Sequence, residues 1–111
     1  RKDFAEKHPE VVAQFAKVTL QSFADYSANK AQWTADSVPV QKIAKLTGAS
    51  PADVPELLAG AAFPDAQAQP ALLQSQTPSA IAETAKFLKE QGKIEAVLPD
   101  YTPFVSDKFV Q

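Results

Sequence analysis

From Pro9 to Asn29 the residues Val12, Phe15, Thr19, Phe23 and Tyr26 recur every three or four positions, with Val11 and Val18 widening the stripe. Side chains at that spacing share one face of an α-helix, so the spacing predicts a helix over about 9–29, the longest in the chain. Pro9 suits its first position, where an N–H would have no partner within the helix, and Glu10 suits the positive end of the helix dipole. Ahead of it "KDFAEK" can form a short helical turn. A break is expected between the two, because proline drives the residue before it out of helical geometry.

Beyond Asn29, "KAQWTADS" holds the single tryptophan, Trp33, in a polar stretch read as a short helix. After Pro39, the residues Val40, Ile43, Ala44 and Leu46 predict two amphipathic turns, which Gly48 can close with a left-handed residue. Ser50, Pro51 and Asp53 supply a cap, a first-turn proline and an acidic third residue. A second short helix should follow, turning Val54, Leu57 and Leu58 inward and stopping at Gly60. "AAFPDAQAQPALLQSQ" has no sustained period and reads as a connector with one turn at most, at Ala71 to Gln74. Thr77 and Pro78 repeat the cap-then-proline pattern, and "SAIAETAKFLKEQ" then forms a helix with Ile81, Ala85 and Leu88 in a stripe and Phe87 beside it, ending at Gly92. On it Lys86 and Glu90 form an (i, i+4) pair worth about 0.3 kcal/mol. The tail, "AVLPDYTPFVSDKFVQ", interleaves aromatics with prolines, as expected of an extended or one-turn segment laid over a neighbouring surface. No stretch alternates long enough to make a strand, and no internal repeat is present. The expected fold is all-α, a small multi-helix bundle of five or six unequal helices, with residues 1–111 as a single helical domain.

Composition removes several function classes. The chain is 45% hydrophobic and 22% charged, ordinary values for a chain that folds. Cysteine is absent, which excludes disulfides, thiolate metal sites and cysteine nucleophiles. His8 is the only histidine and the three glycines stand apart, so neither a multi-histidine metal site nor a phosphate loop can be built. The carboxylates Glu6, Glu10, Asp25, Asp36, Asp53, Glu56 and Asp65 are dispersed, with no acid and base paired by spacing. No catalytic residue, metal or cofactor is therefore expected, and His8 reads as a helix-start or surface residue. Trp33, Tyr26 and Tyr101 are candidates for lining a ligand site, weighed against simple burial, the commoner role of such rings. No run approaches the ~20 apolar residues of a membrane span, and no basic amphipathic face suits a membrane surface. With no methionine and Arg1 at its start, the chain is expected to be part of a longer protein.

One segment invites a sharper reading. "QKIAKLTGASPADVPELLAG" has the layout of a helix-turn-helix, with Ala44 at the crossing, Gly48 in the turn, and Val54 and Leu58 pinning the second helix. A recognition helix must offer cations to phosphates, yet the second helix carries Asp53 and Glu56 and neither lysine nor arginine. The whole chain has net charge -2, where a domain living on phosphate contacts carries a basic excess. The corner is accordingly read as a packing element, with a DNA-binding or protein-interaction module kept as the alternative function.

Taken in order, "FAEKHPEVVAQFAKV", the lone tryptophan, "KIAKLTGAS", "TAKFLKEQGKI" and "DYTPFVSDKFV" resemble the carboxy-terminal part of the periplasmic solute-binding proteins of ABC importers, of the taurine and aliphatic-sulfonate type. The likeness runs from Arg1 to Val110. It implies a two-lobed α/β protein that closes on a sulfonate ligand in the periplasm and delivers it to a membrane permease, without catalysis. It implies also that this chain is a fragment lacking the sheet-bearing portion ahead of the long helix. From this come three expectations: the isolated chain does not bind ligand, no nucleic acid is a partner, and the chain self-associates or rearranges its helices to cover stripes that would pack against missing elements. The resemblance assigns no ligand-contact residue.

Overall fold

The computed structural model describes residues 1–111, and its elements are helices and turns with no strand, as the patterning predicts. The first two helices are α1, Lys2–Lys7, and α2, Pro9–Asn29. Between them His8 leaves helical geometry at φ -135 and ψ 55. Its N–H donates to the Phe4 carbonyl at 2.8 Å, closing α1, and its own carbonyl accepts the Val11 and Val12 N–H groups at 3.2 and 3.3 Å, opening α2. Main-chain groups of one residue thus serve both helix ends at the break that Pro9 imposes.

The covered stripe of α2 consists of Val12, Ala16, Thr19, Leu20 and Phe23, all half-buried, and Tyr26, which is buried. Phe15 departs from expectation at 74% exposed. Three helical steps place it about 60° from Val12, at the stripe's margin, while Ala16 falls nearer the centre.

The chain divides into two compact units, one of Val18–Asp65, the other of Arg1–Lys17 with Ala66–Gln111. In the first, the end of α2 leads through a 3-10 turn, Lys30–Gln32, to α3, Val38–Thr47, and α4, Val54–Ala59. The Ser37 carbonyl accepts the Gln41 N–H at 2.9 Å and Pro39 lies in the first turn of α3. Gly48 closes that helix at φ 77, its N–H donating to Ala44, in the left-handed conformation that a side chain disfavours. The expected Ser50 cap takes another form. Its carbonyl accepts the N–H groups of Asp53 and Val54, so a turn over 51–53 precedes α4, which has no side-chain cap.

The core of this unit is Val40 and Val54, 0% and 2% exposed, with Ala44, and Trp33, Ile43, Ala49 and Leu58 pack against them. Two expected core residues are outside it: Leu46 and Leu57 are 86% and 65% exposed. Each lies off the line of its helix's buried residues. Leu46 is two residues, about 200°, past Ala44, and Leu57 is one 100° step from Leu58.

In the second unit α5, Gln69–Ala71, runs through a π-helical turn, Leu72–Gln76, into α6, Thr77–Glu90. The junction residues Ala71, Leu72, Gln76 and Thr77 all keep right-handed helical angles. Two expectations are corrected here: the supposed connector is helical from Gln69, and Thr77 is not a cap. Pro78 explains both. It has no N–H to give the Gln74 carbonyl and its ring crowds that position, and the wider π-helical turn immediately before it relieves both. The Thr77 hydroxyl donates to the Leu72 carbonyl at 3.0 Å, supplying part of the lost bonding.

α6 buries Ala85 and half-buries Ile81 and Leu88, as expected, with Phe87 mostly in solvent. It ends at Gly92, φ 66, where Gly92 N–H donates to Lys89 and Lys93 N–H to Leu88 at 2.9 and 2.8 Å, the paired bonds of a Schellman motif. The tail beyond makes one 3-10 turn, Thr102–Phe104.

Candidate functional site

The α3–α4 corner has the apolar crossing of a helix-turn-helix and the wrong charge for one. Val40 and Ala44 of α3 meet Val54 and Leu58 of α4 across the Gly48 turn. On the outer side of α4, Asp53, Glu56, Leu57, Gly60 and Ala61 line a hollow of about 460 Å³. Where a recognition helix would meet the duplex, this one presents two carboxylates and a leucine. Lys42 and Lys45 are exposed on α3, the other helix of the corner.

Tyr26 and Trp33, two of the three aromatic candidates, are brought together by packing. The Tyr26 ring meets Trp33 edge-on at 5.1 Å and Phe63 edge-on at 5.2 Å, and Phe23 lies 5.1 Å from Phe63. Trp33 in turn packs on the Val40–Ala44–Val54 core. Lys30 Nζ stands 5.9 Å from the centre of the Tyr26 ring, so the cluster's cation is supplied by the chain itself. These rings join the end of α2 to the corner. Phe63 was not singled out from the sequence because it lies in "AAFPDA", where no periodicity marks a buried face.

Tyr101, the third candidate, belongs to the other unit, where its hydroxyl accepts the Leu98 N–H at 3.1 Å and its ring lies 6.1 Å from Phe104. Next to it Asp100 accepts the Thr102 N–H at 2.8 Å, which holds its carboxyl below the usual range. Asp107 Oδ2 accepts amide donors from Gln74, in the π turn, and from Gln111, at 2.6 and 2.8 Å. These amides, Gln111 foremost, lower its pKa and fasten the tail.

His8 is exposed; its ring lies 4.9 Å from Phe4 and Nδ1 is 4.0 Å from a Glu10 oxygen. With Arg1, Asp3, Phe4 and Lys7 it lines a hollow of about 270 Å³. Arg1 pairs with Asp3 at 2.6 Å and draws that carboxyl's pKa down. Nowhere do three or more histidine or carboxylate side chains converge in a manner fit to hold a metal ion. No helix is long and apolar enough to cross a membrane.

The chain is similar over its whole length to a periplasmic binding protein of the taurine type. In particular, all 111 residues align at 46% identity with the taurine-binding periplasmic protein of Escherichia coli (strain K12). The chain spans about a third, 35%, of that relative's length. No protein-family model matches it.

Proposed function

We propose that these residues form part of the substrate-binding component of an ABC importer for taurine or a related sulfonate. In this reading the component works outside the cytoplasmic membrane, delivers its ligand to a permease, and performs no catalysis. The observation that carries it is the 46% identity sustained from end to end with a protein named for taurine binding. With only five residues buried, an identity that high extends to surface positions as well.

The part played by this segment is support rather than ligand contact. Tyr26 and Trp33 are engaged with each other, Tyr26 also with Phe63, and Trp33 packs on the corner's core. A cleft between two lobes draws residues from both, and the chain covers 35% of the relative. The isolated chain therefore leaves taurine unbound, and calorimetric titration giving a Kd below about 100 μM, near 5.5 kcal/mol, would overturn that statement. The protein encoded by the whole reading frame containing these residues should bind taurine or a short alkanesulfonate. If it binds neither, the transport reading fails. Nucleic acid is not a partner, since Asp53 and Glu56 oppose the counterion release that drives such binding. A salt-sensitive shift of duplex DNA at micromolar protein would restore the alternative.

A further inference from the structure

The hydrogen bonds that shape residues 96–111 are mostly local. The Tyr101 hydroxyl accepts from Leu98 N–H, Asp100 from Thr102 N–H, Ser106 Oγ from Lys108 N–H, and the Asp107 carbonyl from Val110 N–H, all within three residues. One bond differs: Gln74 Nε2 donates to Asp107 Oδ2 at 2.6 Å across 33 residues. The same oxygen takes the Gln111 amide at 2.8 Å, and Asp107 is half-buried. Gln74 stands in the π-helical turn Leu72–Gln76, where the helix from Gln69 to Glu90 takes in an extra residue without breaking. Three features hold that turn wide. Pro78 denies the Gln74 carbonyl its α-helical donor, the Thr77 N–H reaches back five residues to the Leu72 carbonyl, and the Thr77 hydroxyl donates to the same carbonyl at 3.0 Å.

We propose that the π turn aims a latch: by keeping Leu72–Gln76 wide, Pro78 points Gln74 at Asp107 and so straps residues 105–111 to the α5–α6 helix. An extra residue within one helical turn rotates the helix before it by about 100° against the helix after it. At the ~5–6 Å radius of helical side chains, closing the turn to α-helical width would carry the Gln74 amide about 8 Å from its present place, far outside hydrogen-bond reach of Asp107. The apolar residues Val105, Phe109 and Val110 are half-buried and give the tail its footing. The carboxylate between them, accepting charge-assisted bonds, sets their register on the helix. Attachment of the tail is thereby governed from Pro78, a residue distant from it in sequence.

Hydrogen exchange over residues 105–111, read by mass spectrometry, tests this in the protein encoded by the whole reading frame containing these residues. Gln74→Ala removes the donor and should speed exchange there about threefold or more, Val110 N–H included. Pro78→Ala leaves donor and acceptor in place but favours α-helical closure of the turn, so it should speed exchange by a similar factor while the protein still melts cooperatively. The double variant should exchange no faster than the quicker of the two single variants, because both changes open one latch. Thr77→Val keeps the side chain's shape and removes the hydroxyl's hold on Leu72. It should act in the same direction, and it takes the place of Pro78→Ala should that variant fail to fold. Exchange at the wild-type rate in Gln74→Ala would overturn the latch. A wild-type rate in folded Pro78→Ala, or in Thr77→Val where it stands in, would overturn the part given to the π turn, as would additive effects in the double variant.

Discussion

Val54 and Leu57 sit three residues apart on a helix of six, and truncating each to alanine should give sharply different results. Val54 is 2% exposed and touches the centre of its unit's core, whereas Leu57 is 65% exposed. Val54→Ala removes two buried methyl groups, about 1.6 kcal/mol at about 0.8 kcal/mol each. If the surroundings leave about 40 Å³ unfilled, the cavity adds about 1 kcal/mol, for a total near 2.5 kcal/mol. Leu57→Ala forfeits only a small part of its side chain's burial and gains slightly in helix propensity, so its cost stays within about 0.5 kcal/mol. Urea denaturation at a few micromolar chain, followed by circular dichroism and tryptophan fluorescence, reads the difference; Trp33, packed on Val54's cluster, is the reporter. In thermal melts Val54→Ala should lower Tm by about 10 °C and Leu57→Ala by about 2 °C or less. Equal losses, or a larger loss for Leu57, would show that α4 turns its other face inward and would refute the packing described for the corner.

Two further outcomes follow from single residues. Gly48→Ala meets no atom within 4 Å but must hold φ 77, so it should cost about 1 kcal/mol in the same denaturation, and no loss would mean that Gly48 does not keep its left-handed conformation. Asp107 has its pKa lowered by the Gln111 and Gln74 amides, so its charged form favours the attached tail. That contribution is present above the ordinary aspartate value of 3.8 and is lost as pH falls through the lower folded value. Gln74→Ala should raise the Asp107 pKa toward the ordinary value in a carboxyl NMR titration, and an unchanged titration would show that the amide contact contributes nothing.

The helices that the sequence displays most clearly are those whose punctuation acts locally. Pro9 and Gly48 set their helix ends through backbone geometry alone, and both ends fall where patterning puts them. Thr77 and Pro78 mislead because the same pair has two uses: a cap and first-turn proline, or a proline tolerated inside a helix by a π turn. The choice depends on whether the preceding residues are already helical, which "QPALLQSQ" does not reveal through hydrophobic period. Leu46 and Leu57 mislead for a different reason. On the six-residue α4 the adjacent Leu57 and Leu58 fit an inward face equally well, and only the partner's position selects between them, whereas Leu46 lies about 200° from Ala44, off the stripe of Val40, Ile43 and Ala44. At the candidate site, the acidic character of α4 was legible directly from Asp53 and Glu56. Phe63's closure of the aromatic cluster was not, because long-range contacts from irregular segments leave no local signal.

Exchange of the aligned segment offers the most direct test of the central reading. The corresponding third of the Escherichia coli taurine-binding periplasmic protein would be replaced by these 111 residues, and taurine titrated calorimetrically into the folded chimera. If this chain is the supporting portion of a sulfonate-binding protein, the chimera should bind taurine within about tenfold of its parent, a change of about 1.4 kcal/mol or less. A chimera that melts cooperatively, as the parent does, yet takes up no taurine would contradict the assignment.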